Sequence, residues 1–344
     1  MRWRIVAGAI GGAALIALIA WFGNGEIGSD VLRASWAIPA IVALHLGQVF
    51  LSACAWRLAV GTPHLGLPAF FRLRLIRESV NSLLPVAQIG GQIVCIRLMT
   101  QRGVGLALAS AGTVLDLTVE TGMQLAFTIL GIAVLAATGI DPSSVPSVYG
   151  GVFIGALAIS AFVIAQRVGL LRIIELAMLR LNNFMPIASA ESLRGLHDEL
   201  MRLQGRPRAI IVACTAHFTS WSLGLIEVYL VLLAIGTPVG LPQAFVVESL
   251  GLAARSAGFA LPGALGVQEG GFILVCGLFG VPPDAAIALS MVKRLREVLL
   301  GIPGLMMWQW SEIKCWLLAR NTRPSRSECP DNHSPLPNAQ KYRP

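Results

Sequence analysis

Apolar positions run along this chain in long blocks, not in the alternation of a half-buried strand or the narrow stripe of a soluble helix. The blocks lie near 4–22, 36–60, 105–138, 148–166, 209–235 and 285–310. A helix of about 20 apolar residues crosses a hydrocarbon core roughly 30 Å thick, so each block is expected to span a membrane. Two further apolar stretches, 79–98 and 244–281, are interrupted midway by Pro, Gly and polar residues. In the first, Leu83-Leu84-Pro85 leads into Gln88-Ile89-Gly90-Gly91-Gln92; in the second, Leu261-Pro262-Gly263 leads into Gly266-Val267-Gln268-Glu269-Gly270-Gly271. A straight lipid-facing helix would leave backbone groups unsatisfied there, so these stretches are expected to be re-entrant hairpins inside protein.

The two interrupted stretches resemble one another. Glu78-Ser79 precedes one break and Glu248-Ser249 the other, and each Gly-Gly is followed by Gly-Val (Gly103-Val104, Gly280-Val281). A charged pair four residues apart comes next, Asp116 and Glu120 in one half, Lys293 and Glu297 in the other. The expected fold is an all-α integral membrane protein, with about six transmembrane helices plus two re-entrant hairpins in an inverted 3+3 repeat. Its halves cover about 1–138 and 148–310, within a transmembrane domain of 1–315. Such repeats are typical of secondary transporters, with the site at the repeat interface. The competing account is chance similarity of Gly- and Pro-rich apolar sequence.

Arginines set the orientation. The 167–208 connection holds Arg167, Arg172, Arg180, Arg194, Arg202, Arg206 and Arg208, whereas the loops near 23–35, 139–147 and 236–243 offer Arg33 alone. Both termini and the 167–208 stretch are therefore expected to be cytoplasmic in a bacterial inner membrane. Leu170, Ile173, Ile174, Ala177, Met178 and Leu181 recur at helical spacing, predicting amphipathic helices along the membrane surface. The tail 316–344, rich in Pro, Ser and Asn, is expected to be disordered. Arg2 and Arg4 ahead of Ile5–Phe22 look like a signal peptide, but the run is long and lacks a small-x-small cleavage site. An uncleaved first helix is the expectation.

Composition narrows the classes. Hydrophobic residues are 55% of the chain and charged residues 13%, about half the charge of a soluble domain. The net charge of +8 sits between apolar blocks and lacks aromatic interleaving, which argues against nucleic-acid binding. The six cysteines form no Cys-x-x-Cys pair, and the five histidines have no metal spacing, so neither a metal nor another cofactor is expected. No Walker loop, His-Glu-x-x-His or Gly-x-Ser-x-Gly occurs, and the chain is not expected to be an enzyme.

Ionisable residues within apolar blocks are the candidate chemistry, because a charge at the bilayer centre costs at least about 2.5–3.5 kcal/mol. They are Asp116, Glu120, Glu227, Arg255, Glu269, and the run Lys293, Arg294, Arg296 and Glu297. Asp116 and Glu120 share a helix face; Lys293, Arg296 and Glu297 share another, with Arg294 pointing about 100° away. In one reading, acids of one half neutralise bases of the other and lock the bundle. In the other, Arg255 and the Lys-Arg run bind an anionic headgroup that is expected to sit near Glu269 and Arg255, with Glu269 or Asp116 as a proton-coupled switch. Gln268 and Gln88 stand at the two breaks. Arg72, Arg74, Arg77, Glu78 and Asn81 form an expected juxtamembrane surface cluster at the mouth of the first, placed for headgroup capture.

The segment Arg77-Glu78-Ser79-Val80-Asn81-Ser82-Leu83-Leu84-Pro85-Val86, with Gln88 and Gly90-Gly91, resembles the first signature of the lysylphosphatidylglycerol synthase transmembrane (flippase-like) superfamily. Pro262 to Gly271 resembles its second, and Lys293-Arg294-Leu295-Arg296-Glu297 fits the continuation. The Arg-Glu-Ser-Val-Asn form and Asp116–Glu120 look most like the hopanoid-biosynthesis-associated HpnL subgroup. The resemblance implies a lipid-handling membrane domain, in some members a flippase for aminoacylated phosphatidylglycerol, without the aminoacyl-transferring domain of full-length synthases. The expectation is translocation of a hopanoid or anionic phospholipid, or assistance to it. The competing class is a scaffold that gathers lipid-biosynthetic enzymes on the basic 167–208 surface.

Overall fold

The computed structural model of the protein describes residues 26–84, 90–138, 195–257, 264 and 266–321. Every element among them is helical. Helix α1 (Glu26–Arg33) leads through a 3-10 turn (Ala34–Ala37) into α2 (Ile38–Val60), followed by α3 (Leu67–Leu83), α4 (Gly90–Thr100) and α5 (Leu106–Ala137). After α6 (Leu196–Gln204) come α7 (Pro207–Ile235), α8 (Leu241–Ala257), α9 (Val267–Gly277) and α10 (Pro283–Asn321). Met1–Met307 forms one compact unit and Trp308–Pro344 a second.

Among the described residues, three helical stretches are long and apolar enough to cross a membrane: Gly28–Val60, Leu106–Ala137 and Pro207–Ile235. They coincide with the expected spans 36–60, 105–138 and 209–235. The expected span 285–310 falls within α10, which carries Lys293, Arg294, Arg296 and Glu297 and is less apolar. The spans 4–22 and 148–166, the connection up to residue 194, and the tail beyond 321 lie outside the described residues. Large apolar side chains such as Ile93, Ile211, Leu274 and Ile302 point outward. On a soluble protein they would be an aggregation liability; in lipid they are simply solvated.

Local sequence explains where helices begin and stop. Proline occupies the first turn of α2, α3 and α7, where its missing N–H is no loss. Leu84 leaves α3 in an extended conformation (φ −110°, ψ 145°), the state that the following Pro85 imposes sterically. At the second break Ala264 has φ 49°, a left-handed conformation costly for a residue with a Cβ. Gly103 and Gly280 make the same turn, three residues beyond the ends of α4 and α9. Each has positive φ (88° and 73°), and the N–H of the next valine donates to the fifth residue back, Val104 to Met99 O and Val281 to Cys276 O, both at 3.2 Å.

Both interrupted stretches comprise a 17-residue helix, a break and an 11-residue helix, and each is followed by a helix of more than 30 residues. Packing is reciprocal. A Cβ on Gly131 of α5 would collide with Ser249 Oγ of α8, and one on Gly304 of α10 would collide with Ser79 Oγ of α3. Small residues at these crossings let backbones approach closely, the usual device where lipid removes the hydrophobic drive between helices. The second glycine of each Gly-Gly is equally confined, Gly91 against Arg77 O and Gly271 against Ala254. Along the middle, α2 lies against α7.

Helix α6 belongs to the basic connection and is amphipathic. It buries Leu196, Leu200 and Leu203 against Ala59, Leu115 and Ala213, and leaves an Arg202–Glu199 pair exposed at 2.7 Å.

Candidate functional site

Charged residues in the bundle fall into two groups. In the first, α3 offers two arginines to two carboxylates on α5. Arg77 Nη1 donates to Asp116 Oδ2 at 2.7 Å and its Nη2 to Glu120 Oε2 at 2.5 Å. Arg74 Nη1 donates to Glu120 Oε2 at 3.0 Å, and its Nη2 to Glu120 Oε1. Asp116, wholly inaccessible, also receives His217 Nε2 of α7 at 3.1 Å, and Arg77 stacks over the Trp56 ring at 5.3 Å. Two cations meet two anions with fork geometry, so this quartet neutralises itself.

This corrects one expectation. Arg74 and Arg77 are buried, not part of a surface cluster; of the three arginines only Arg72 is exposed. One helical turn and the side the residue faces decide the difference, because Arg74 and Arg77 share the face turned to α5. Asp116 and Glu120 find their arginines on the adjacent α3. Asp116 also meets His217 of α7.

The second group surrounds a cavity of about 150 Å³, room for about five waters at liquid density. Its wall takes His45 and Gln48 from α2, Glu78 from α3, Trp221 from α7, Glu248 and Arg255 from α8, Gln268 and Phe272 from α9, and Lys293, Arg296 and Glu297 from α10. Lys293 Nζ donates to Glu248 Oε2 at 2.5 Å. Arg296 pairs with Glu227, which is wholly buried behind the wall, and Arg255 pairs with Glu297. Gln268 accepts from Arg255 Nη1 at 3.2 Å and donates to Ser290 Oγ at 3.0 Å. Across the middle, Gln48 Nε2 donates to Glu227 Oε1 at 2.8 Å, and His45 Nε2 meets Glu78 Oε1 at 2.7 Å. Two donors on the wall, Trp221 Nε1 and Arg296 Nε, are buried without a hydrogen-bond partner. A buried donor left unmade costs about 1–3 kcal/mol, which the surrounding ion pairs must offset.

Of the residues singled out by sequence, Arg255, Gln268, Lys293, Arg296 and Glu297 come together on this wall. Glu269 and Arg294 pair with each other beside it at 2.6 Å. Glu269 also accepts from Gly266 N at 2.7 Å, which pins the start of α9. Asn81 clips the other break in the same way, accepting from Gly91 N at 2.8 Å and donating to Gln92 Oε1 at 3.2 Å. Asp116, Glu120 and Arg77 belong to the closed quartet, and Gln88 lies outside the described residues. Glu78, expected in the cluster at the first break, lines the cavity, whereas sequence reasoning missed His45, Gln48, Trp221 and Glu248 as site residues. The signal was present: His45, Gln48 and Ser52 are polar at spacings of three and four on an otherwise apolar span, marking one face turned inward.

Long apolar helices, outward apolar side chains and an ion-paired interior define an integral membrane protein of helical type. Residues 4–304 match the family described as the lysylphosphatidylglycerol synthase TM region, and the chain belongs to it. It is similar to two proteins of Methanothermobacter thermautotrophicus (strain Delta H), each described as a UPF0104 membrane protein. One is 26% identical over 310 residues, covering 83% of this chain and 88% of the relative; the other is 23% identical over 298 residues, covering 82% and 85%. No solved structure matches.

Proposed function

We propose that the chain moves a membrane lipid between leaflets, taking its polar headgroup into the ion-paired cavity. The observation that carries this reading is the wall itself. Three carboxylates and three permanent cations line a space of about 150 Å³. That volume admits a headgroup and excludes the acyl chains, which would stay in surrounding lipid. Charged residues in a membrane bundle are expensive and mark substrate paths when they face a cavity.

The repeated helix lengths, the shared Gly-Val turn and the reciprocal Ser–Gly crossings support an inverted repeat. The two broken stretches act as re-entrant hairpins entering from opposite sides. Rocking of one half against the other then exposes the cavity alternately. The protein sits in a bacterial inner membrane with both termini cytoplasmic, and works as a carrier, not as an enzyme. Its cargo is an anionic phospholipid or a hopanoid, the latter favoured by the Arg77-Glu78-Ser79-Val80-Asn81 form of the first signature.

The test is leaflet exchange in proteoliposomes with labelled phosphatidylglycerol and labelled hopanoid, comparing wild type with Arg255→Ala. Exchange should fall at least tenfold in the variant while the protein stays inserted and monodisperse. Equal rates would remove the cavity from the path. No exchange of any lipid by the folded wild type would favour the enzyme-gathering scaffold.

A further inference from the structure

His45 differs from the other buried histidine in how its ring is held. Both of its ring nitrogens face acceptors. Nε2 lies 2.7 Å from Glu78 Oε1, and Nδ1 lies 3.2 Å from Gln48 Oε1 and 3.7 Å from Glu227 Oε1. The Gln48 amide cannot be turned to help, because its NH2 group already donates to Glu227 Oε1 at 2.8 Å. Reversal would set a carbonyl against a carboxylate. A neutral imidazole has one N–H and one lone pair; only the imidazolium donates from both nitrogens. The geometry around His45 is therefore built for a ring that carries an extra proton. His217 is held differently: its Nε2 meets Asp116 at 3.1 Å and its Nδ1 has no hydrogen-bond partner.

Charge balance points the same way. Four carboxylates, Glu78, Glu227, Glu248 and Glu297, surround or back the cavity against three permanent cations, Arg255, Lys293 and Arg296. Matching the fourth carboxylate takes a fourth positive charge. A proton on His45 supplies it. The groups that face the ring come from every neighbouring helix: Gln48 from its own α2, Glu78 from α3, Glu227 from α7, and from α10 Arg296 and Lys293, which both reach Glu227. Glu248, Arg255 and Glu297 line the remainder, and Arg74 on α3 is committed to Glu120. Glu78 is about one-third exposed and lines the cavity, which gives a proton a route to the ring without crossing apolar packing (side-chain exposure 34%).

We infer that His45 is a proton-binding site coupled to occupancy of the cavity, so that the translocation proposed above is proton-coupled. The inference rests on that reading. The link is Arg296, which lines the cavity and holds Glu227. An anionic headgroup that engages Arg296 draws it from Glu227, which leaves more negative charge beside His45 and tightens its hold on the proton. Anion and proton then load together, each raising the affinity for the other by the same factor. The step is one proton taken up on an imidazole nitrogen and one released on the other side, with no other bond changed. Histidine suits it because its charge changes between about pH 5 and 8.

Two measurements test this. First, the protein with 15N-labelled histidine is placed in nanodiscs of phosphatidylethanolamine and phosphatidylglycerol, and ring signals are followed from pH 5 to 8. The signal absent from His45→Gln identifies the residue. It should pass from doubly to singly protonated within that range, and Gln48→Leu, which removes the Nδ1 acceptor, should lower its midpoint. A His45 ring that keeps one protonation state throughout overturns the proposal. Second, proteoliposomes of the same lipids carry headgroup-labelled phosphatidylglycerol and a trapped pH dye. A pH gradient should speed exchange severalfold in the wild type and move protons with the lipid, and the ratio of rates with and without the gradient should fall to about one in His45→Gln. Wild-type exchange that ignores the gradient overturns the coupling and leaves translocation standing. Absence of exchange in the wild type defeats both.

Discussion

The buried quartet of α3 and α5 can be separated from a headgroup site by a double-mutant cycle at Arg77 and Asp116. Arg77→Met leaves Asp116, which has no exposed surface, with His217 at 3.1 Å and Arg74 at 3.8 Å, and leaves Glu120 to Arg74 alone. Breaking one side of a buried pair costs about 3–5 kcal/mol, and the remaining partners put this variant near about 3 kcal/mol. Asp116→Leu should cost a similar amount, because it strands Arg77 Nη1 and His217 Nε2. The double variant removes one cation and one anion, leaving Arg74 and Glu120 as a closed pair. Its loss should fall short of the sum of the single losses by about 2–3 kcal/mol. Unfolding in mixed detergent–SDS micelles followed by tryptophan fluorescence reads the difference as roughly a 30- to 150-fold change in the unfolding constant. Additive losses would refute the quartet. A second result would refute it equally: Arg77→Met that unfolds like wild type but no longer exchanges lipid would make Arg77 a headgroup ligand.

Glu269→Gln keeps an acceptor for Gly266 N but leaves Arg294 without its carboxylate, so it should lower stability by about 1–3 kcal/mol while exchange per folded molecule stays within twofold. A tenfold loss of exchange in a fully stable variant would put Glu269 in the substrate path. Asn81→Ala unmakes the bond to Gly91 N at the first break and should cost about 1 kcal/mol in the same unfolding assay. Gly131→Val and Gly304→Val should each destabilise by about 1–3 kcal/mol, because the added side chain meets Ser249 in one case and Ser79 in the other. Unequal effects, one large and one absent, would count against equivalent crossings in the two halves.

How far the sequence leads depends on whether a property is local. Long apolar blocks announce a membrane protein because hydrocarbon thickness sets the length required, and three of the expected spans recur as helices Gly28–Val60, Leu106–Ala137 and Pro207–Ile235. Pro85 forces Leu84 out of the helix through its own ring, so the first break was legible from one dipeptide. Helical periodicity alone placed Lys293, Arg296 and Glu297 on one face and Arg294 on another. They do divide in that way, three on the cavity wall and Arg294 on Glu269.

Partner choice was not local. Whether Arg77 meets a headgroup or Asp116, 39 positions away, depends on how α3 and α5 are rotated against each other, which no periodicity records. His45 and Glu227 meet because α2 packs along α7, where Gln48 reaches Glu227 across 179 positions of sequence. The sequence by itself determined the solvent, the helices and the breaks, since hydropathy and backbone sterics act within a few residues. Only the tertiary structure decided which buried charges close upon themselves and which line a cavity, because an ion pair is settled by the few ångströms between helices that the chain brings together from far apart.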